Sequence, residues 1–184
     1  MFNLYDEKPI IACSTGTVTN SAIGLIRLSG FSNLVDLQNF FSFDLSKVKP
    51  RYNHFSKLLN KNFVLDEVVF SFYPAPNSYN GENILEISVH GNQINIQNII
   101  KAFISSGVVR HAKEGEFSYR ALKNKKLSLT QVEGLDLLLN ANSNYMLEQG
   151  LDILQGDLHT KYQEIHDSFL KLKSSVEIGI DFSE

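Results

Sequence analysis

The sequence predicts an α+β fold, in which a mixed β-sheet with helices is followed by an incomplete antiparallel helical domain. In the first two thirds of the chain, short apolar runs with period-two alternation are interspersed with stretches of helical spacing. In the last third, beyond a polar break at residues 140–144, apolar residues recur at alternating steps of three and four. Residues 121–184 carry six basic and ten acidic side chains, whereas residues 1–60 carry six and four. We therefore expect two domains, residues 1–122 and 123–184.

Composition excludes several classes of protein. Of the 184 residues, 43% are hydrophobic and 20% are charged, which is typical of a globular chain. The net charge of -3 excludes a polybasic protein, and the single cysteine, Cys13, excludes both an intrachain disulfide and a CxxC zinc site. Because no apolar run approaches a membrane span and the first residues do not resemble a signal peptide, we expect a cytoplasmic protein with no membrane contact.

The first predicted elements are two short strands and a helix. Residues 9–13 and 23–30 are short, apolar and rich in β-branched side chains, which favours strands. Ser32 is placed to cap a helix that runs to Phe41. One face of that helix would carry Leu34, Leu37, Phe40 and Phe41.

The middle of the chain predicts two further strands and a helix. Residues 64–73 read as a strand that ends at Pro74, and residues 74–81 are turn formers. Residues 84–90 alternate, with Glu86 and His90 on one side of the strand. Residues 93–105 have helical spacing, and Gly107 follows where a helix often ends.

The last third predicts a helical hairpin. Thr130 and Glu133 have the spacing of a capping box, and residues 140–144 form a polar break. Beyond the break, one long helix would carry an apolar seam of Leu147, Leu151, Leu154, Leu158, Tyr162, Ile165, Phe169, Leu172 and Val176. Two helices cannot bury so long a seam, so we expect that another chain or further sequence covers it.

The sequence lacks two general nucleotide-binding motifs and a metal-ligand motif. The sequence contains neither the G-x-x-x-x-G-K-[ST] loop that holds nucleotide phosphates nor a G-x-G-x-x-G turn. The five histidines lack the spacing of metal ligands, so we expect no metal site. Cys13 lies in a predicted strand and is expected to be a small buried side chain.

Three segments carry a resemblance to a known family. They read N-S-Y-N-G-E-N-I-L-E-I-S-V-H-G at 77–91, E-G-E-F-S-Y-R-A at 114–121 and N-K-K-L-S-L-T-Q-V-E at 124–133. These resemble the motifs P-x-S-Y/F-T-G-E-D-x-x-E-x-x-x-H-G-G and P-G-E-F-T-x-R-A-F-x-N-G-K-L-D-L-T-Q-A-E of the tRNA-modification GTPases called MnmE or TrmE. G-L-I-R-L-S-G at 24–30, L-Q-G at 154–156 and D-F-S-E at 181–184 resemble further family segments in the same order.

The resemblance implies an architecture and an activity. In this family an α/β N-terminal domain binds a reduced folate and forms a homodimer, and a helical domain interrupted by a GTPase domain follows. With the flavin-dependent partner MnmG, the full-length protein hydrolyses GTP and modifies carbon 5 of the wobble uridine in tRNA. GTP, magnesium and potassium bind in the GTPase domain. This chain would be the N-terminal domain plus the first helices, and we do not expect it to be active alone.

Carried over by motif, the folate contacts fall on Arg27, Glu86 and Lys126. The folate would be 5-formyl- or methylene-tetrahydrofolate. A reduced pterin presents adjacent N–H donors, which a carboxylate such as Glu86 accepts well. Arginine and lysine suit the carboxylates of the glutamate tail or a formyl oxygen. The alternative is that Glu86 and Arg27 form a purely structural ion pair.

The chain departs from the family at three places. The glycine-rich P-P-G-R-G-G-V-G segment is T-V-T-N-S-A-I-G at 17–24, which changes the loop before the arginine strand. H-G-G-P is H-G-N-Q at 90–93. N-G/D-K-L-D is N-K-K-L-S at 124–128, which leaves Lys125 or Lys126 as the functional lysine, and spacing favours Lys126.

Two other functions remain open from the sequence. The first is a dimerisation scaffold that has lost folate binding, which the altered loop at 17–23 would favour. The second is a tRNA-contacting surface, in which phosphates bind a cationic stretch interleaved with aromatic rings. That stretch consists of Lys101, Arg110, Lys113, Arg120, Lys123, Lys125 and Lys126, with Phe103, Phe117 and Tyr119.

Overall fold

The computed structural model describes residues 7–16, 20–61 and 63–181, without the side chains of 157–160 and 179–181. The chain divides into two compact units, Met1–Ala121 and Leu122–Glu184. The predicted domain division at 122/123 stays a prediction. Most of the altered loop, residues 17–19, lies outside the described residues, as do the last three residues of the D-F-S-E segment.

In the described residues, the first unit is built on one sheet of six strands in the order β3-β4-β5-β2-β1-β6. Neighbouring strands are antiparallel, except that β1 and β6 are parallel. The sheet and the helices around it confirm the predicted α+β class. The strands are β1 Ile10–Cys13, β2 Ile23–Ser29, β3 Asn53–Asn60, β4 Phe63–Tyr73, β5 Ile84–His90 and β6 Arg110–His111.

The two faces of the sheet differ. Helix α1 (Gln93–Ser105) and two 3-10 segments, Leu34–Phe40 and Leu45–Lys47, pack on one face and form the core with it. On β5 this face carries Leu85, Ile87 and Val89, all buried. The opposite face carries the polar side chains of β5, and we call it the open face. Helix α2 (Glu116–Lys123) and the loop 74–83 border it.

Most predicted elements of this unit are confirmed. The strands at 9–13, 23–30, 64–73 and 84–90 and the helix at 93–105 are present. The helix predicted from Ser32 to Phe41 differs from the structure in its helix type and in its N-cap residue. The segment is a 3-10 helix, and Asn33, not Ser32, caps it, because the Asn33 side chain accepts from the Val35 N–H. Strand β3 was not predicted.

The second unit contains helices α3 (Leu129–Leu139), α4 (Asn144–Gln155) and α5 (Asp157–Asp181). The capping box predicted at Thr130 and Glu133 is wrong. Ser128 caps α3 and accepts from the Gln131 N–H, while the Gln131 side chain accepts from the Ser128 N–H. The single long helix is also wrong, because α4 ends at Gly156, which adopts a left-handed conformation with φ 95°.

The helices of the second unit bury little. Among its described side chains and glycines, only Gly134 and Gly150 are buried. An added Cβ on Gly134 would lie 2.7 Å from Ile153 Cγ2, and one on Gly150 would lie 2.7 Å from the Leu138 N atom, so α3 and α4 meet at these glycines. Apolar side chains along α5 are exposed, including Tyr162, Ile165, Phe169, Leu172 and Val176. No helix among the described residues is both long and apolar enough to cross a membrane.

Candidate functional site

Two of the predicted site residues lie directly opposite each other on the open face. Arg27 of β2 pairs in register with Glu86 of β5. Residues in direct register across antiparallel strands project their side chains to the same face, which brings these two charges together. Arg27 Nε and Nη2 both donate to Glu86 Oε1, at 2.9 and 2.6 Å. The two side chains therefore form the ion pair that the sequence left open as the alternative to folate contact.

The ion pair is incomplete on the carboxylate side. Both hydrogen bonds from Arg27 go to Glu86 Oε1, and Oε2 has no hydrogen-bond partner among the described residues. The side chains of Arg27 and Glu86 are 23% and 22% exposed. A half-buried carboxylate oxygen that lacks a protein donor can accept hydrogen bonds from a ligand.

Two aromatic rings flank the guanidinium group of Arg27. The Tyr79 ring of the loop 74–83 and the Phe117 ring of α2 each have their centroid 5.6 Å from Arg27 Cζ. The Tyr79 hydroxyl is 3.0 Å from Ser118 Oγ, which links the loop to α2. These contacts fix the guanidinium plane, because a cation within about 6 Å of a ring centroid is attracted to the ring face.

A pocket of about 660 Å³ opens beside the pair. Its volume lies within the range of small-molecule sites, roughly 300–1,000 Å³. Glu86 and Ile84 of β5 contribute to its wall, and Tyr73 ends the neighbouring strand β4. The remaining lining residues are Arg51, Asn77, Ser78 and Tyr79. The lining thus combines aromatic surface with one carboxylate and one cation.

A buried ion network holds α2 against the loop 74–83. Arg120 Nη1 donates to Glu82 at 3.0 Å, and its Nη2 donates to Glu116 Oε1 at 3.0 Å and to the Lys8 carbonyl oxygen at 2.8 Å. Arg110 donates to both Glu116 oxygens, at 2.7 and 2.8 Å. Glu82 also accepts from Ser29 Oγ at 2.7 Å. This network lies between the elements that carry Phe117 and Tyr79.

The ionisation of Glu116 reflects this environment. Burial by itself raises the pKa of Glu116, but the hydrogen bonds from Arg110, the Lys113 N–H and Arg120 outweigh burial and lower its pKa to about 2. The carboxylate is therefore charged at neutral pH. The motif residues Glu116 and Arg120 therefore hold α2 against the loop 74–83.

His90 lies at the far end of β5 and makes a different pair. Its Nδ1 lies 2.6 Å from Oδ1 of the buried Asp66. Asp66 Oδ2 accepts from the His90 backbone N–H and from Asn95 Nδ2. The Asp66 hydrogen bond raises the pKa of His90. These contacts join β4, β5 and α1, and His90 is not among the side chains that line the pocket.

Lys126 belongs to the second unit, whereas Arg27 and Glu86 belong to the first. It is exposed and precedes the Ser128 cap of α3. Its neighbour Lys125 adopts a left-handed conformation with φ 57°. The structure brings together Arg27 and Glu86, and the role of Lys126 stays a prediction.

In the first unit, part of the cationic stretch predicted as a possible tRNA surface is engaged in other contacts or buried. Arg110 and Arg120 are engaged in the ion network, and Phe103 is fully buried in the core.

Cys13 is half-buried rather than buried, and its thiol donates to the Gly16 carbonyl oxygen at 3.2 Å. Within the described residues, no group of three or more His, Cys, Asp or Glu side chains could hold a metal ion.

The sequence did not single out Arg51, and it named neither ring beside Arg27 as part of the folate site, since Phe117 was considered only within the cationic stretch. Tyr79 lay in a run of turn formers, Phe117 in a motif of unknown placement, and Arg51 in a stretch without periodicity. Their arrangement depends on contacts across many residues, as in the link between Tyr79 and Ser118. Two arginines each stacked on a tyrosine, Arg27 on Tyr79 and Arg51 on Tyr73, are visible only in the structure.

Comparisons with known proteins give matches over most of the chain. The family model described as "GTP-binding protein TrmE N-terminus" matches residues 9–126. The chain is 36% identical over 181 residues to the tRNA modification GTPase MnmE of Francisella tularensis subsp. novicida strain U112. It is 38% identical over 179 residues to the tRNA modification GTPase MnmE of Aquifex aeolicus strain VF5. These matches cover 98% and 97% of this chain but 39% of each relative, so the chain spans about two fifths of their length.

Proposed function

Because the chain belongs to the family of TrmE-type GTP-binding protein N-termini, we propose that its first unit binds a reduced folate at the Arg27–Glu86 pair. The observation that carries this proposal is the hydrogen bonding of the Glu86 carboxylate. One carboxylate oxygen is held by Arg27 and the other has no partner among the described residues, next to a pocket of about 660 Å³. Adjacent N–H donors of a reduced pterin fit such an acceptor.

The surrounding residues also fit a folate. The aromatic lining suits a flat heterocycle, and the Tyr79 ring lies at both the pocket wall and Arg27. Arg27 orients Glu86, because its Nε and Nη2 both donate to Glu86 Oε1. Lys126 is proposed to contribute a further cation. A bound folate, as 5-formyl- or methylene-tetrahydrofolate, would supply the one-carbon unit.

The wider role follows from the relatives, which are named tRNA modification GTPases. We propose that this chain serves the same process in the cytoplasm, as a homodimer that works with MnmG on the wobble uridine of tRNA. No phosphate-binding loop motif occurs in these 184 residues. GTP with magnesium and potassium is therefore assigned to a GTPase domain rather than to this folate unit.

The open face of the sheet supports dimerisation through the first unit. Phe55, Val69 and Ile23 are 60%, 41% and 62% exposed on strands β3, β4 and β2. The register places Phe55 opposite Val69, and Val69 opposite Ser88. Phe55 and Val69 are exposed apolar neighbours on adjacent strands, and Ile23 lies on the same face beyond β5. Exposed apolar side chains grouped on one face are of the kind that marks protein interfaces.

Calorimetric titration with 5-formyltetrahydrofolate tests the folate proposal. We expect saturable binding to the wild-type chain and a loss of about 10- to 100-fold in affinity for Glu86→Gln, because a hydrogen bond to a charged group is removed. Arg27→Ala is expected to weaken binding as well, since Glu86 loses its fixed orientation. Glu67→Gln is the matched control. Glu67 also pairs with a cation across the strands, with 3.8 Å between Glu67 Oε1 and Lys57 Nζ, but it does not line the pocket.

The scaffold alternative makes the opposite prediction. If a folded, dimeric wild-type chain shows no heat of binding, the Arg27–Glu86 pair is structural and the folate proposal fails. The same conclusion follows if Glu86→Gln binds as tightly as Glu67→Gln. Light scattering on the same samples reports whether the dimer is present in each case.

A further inference from the structure

Arg51 is the cationic side chain among the residues that line the pocket. It precedes β3 and lies beside β4, because its backbone N–H donates to the Phe72 carbonyl oxygen at 2.8 Å. Its guanidinium carbon lies 5.6 Å from the centroid of the Tyr73 ring. Its Nη2 donates to the Asn77 carbonyl oxygen. The side chain is thus anchored at the pocket wall by a ring on one side and a loop carbonyl on the other.

The backbone of Arg51 is held in an unusual conformation. Its φ is 65°, in the left-handed region that few residues other than glycine and asparagine adopt. Such outliers persist where the surrounding structure fixes them, and they cluster at functional sites. Its other guanidinium N–H groups have no hydrogen-bond partner among the described residues. An exposed, stacked guanidinium with unused donors is suited to a carboxylate.

The guanidinium group of Arg27 already forms an ion pair with Glu86. Its Nε and Nη2 both donate to Glu86 Oε1, so its charge is balanced by that carboxylate, whereas Arg51 forms no ion pair with the described residues and is the better partner for an anionic group of the ligand. Arg51 and Glu86 lie on opposite sides of β4, which separates their backbones by two strand spacings, about 10 Å in all. One elongated ligand can therefore meet Glu86 with N–H donors at one end and Arg51 with an anion at the other.

We propose that Arg51 binds the anionic end of the ligand whose donor-bearing head Glu86 accepts, and so selects folates that carry a glutamate tail. This inference rests on the proposed folate site and names a residue that sets its specificity. The competing role for Arg51 is purely structural: its hydrogen bond to Asn77 would fasten the loop 74–81 without any contact to the ligand.

The test compares two ligands on the intact chain. One is 5-formyltetrahydrofolate, and the other is 5-formyltetrahydropteroyl methylamide, which has the same head but no tail carboxylate. Arg51→Gly removes the guanidinium and tolerates a positive φ, so the backbone is not strained. Arg51→Lys keeps the charge but not the planar fork. Lys61→Gly is the matched control, because Lys61 is an exposed cation with φ 56° that does not line the pocket.

We expect the wild-type chain to prefer the tailed ligand by about 10- to 100-fold, as one charge-assisted contact provides. Arg51→Gly should abolish that preference and leave the affinity for the methylamide unchanged, and Arg51→Lys should restore part of it. Lys61→Gly should behave as the wild type. An unchanged preference in Arg51→Gly, or equal weakening of both ligands, would overturn the inference while leaving the folate proposal intact. Failure of the wild type to bind either ligand would overturn both.

Discussion

The two units of this chain differ in how their apolar residues are used. The first unit buries a continuous core that includes Phe70, Phe103 and Leu37, all at most 1% exposed. In the second unit, α3 and α4 meet at Gly134 and Gly150, and the large apolar side chains of α5 face solvent. Phe169 and Leu172 are 62% and 63% exposed.

The two units therefore differ in how far their own packing can stabilise them. The stability of the first unit comes from its own core and from its buried ion network, and that network also holds the elements beside Arg27. The second unit has helical propensity and caps but little burial, and isolated helices are marginal without packing. A site that must be preorganised is therefore best supported by the first unit.

The largest expected effect comes from breaking the buried ion network. Arg120→Met removes the guanidinium and leaves Glu82 and Glu116 without a shared partner, while the Arg120 side chain is only 7% exposed. Removing one member of a buried pair typically destabilises a protein by about 3–5 kcal/mol. We expect a loss of this size in the free energy of unfolding, measured from urea curves by circular dichroism.

The matched substitution in the second unit should do little. Lys173→Met breaks an exposed pair with Glu177 at 3.7 Å, four residues apart on α5. Exposed helix pairs of this type contribute about 0.3–0.5 kcal/mol. Equal effects of Arg120→Met and Lys173→Met would show that the network does not support the first unit.

A second prediction concerns acid. Glu116 has its pKa lowered from 4.5 to about 2, so its contribution to stability is fully present above pH 4.5 and is lost as the pH falls toward 2. That contribution is on the order of 3 kcal/mol. The difference in unfolding free energy between the wild type and Glu116→Gln should therefore shrink between pH 5 and pH 2.

Glu177→Gln on α5 provides the control for the acid titration, because the Glu177 side chain is 62% exposed. Its difference from the wild type should stay near zero across the same range. A Glu116→Gln difference that does not change with pH would mean that the carboxylate is not stabilised in its charged form by Arg110 and Arg120.

Local sequence patterns predicted what depends on local spacing. β5 and α1 were predicted because alternation and helical spacing report directly on burial, as at Ile87 and Ile99. β3 was missed because it is an edge strand with exposed Phe55 and Lys57 among its residues. Ser128 and Thr130 both begin a capping-box pattern two residues apart, and the helix used the first. Such competition between neighbours is not visible in the sequence.

The site was predicted only in part for the same reason. The resemblance pointed to Arg27 and Glu86, and strand alternation placed Glu86 on a polar face. The ring contacts of Tyr79 and the placement of Arg51 depend on loops that other segments hold in position. The end of α4 was not predicted either. Apolar residues keep the same helical spacing on both sides of Gly156, because the segments before and after it are both helices.

The smallest effect on stability is expected from the exposed seam of α5. Phe169→Gln with Leu172→Gln should change the free energy of unfolding by about 0.5 kcal/mol or less, because neither side chain is buried. The same variant should reduce self-association, since an exposed apolar stripe on a helix is an interaction surface. Light scattering at high concentration should show a mass above the dimer for the wild type and a smaller mass for the variant. Lys171→Gln, at an exposed polar position of α5, is the control. A wild-type chain that stays monodisperse, with the same mass as the variant, would show that the seam does not drive association and that its exposure has no consequence in solution.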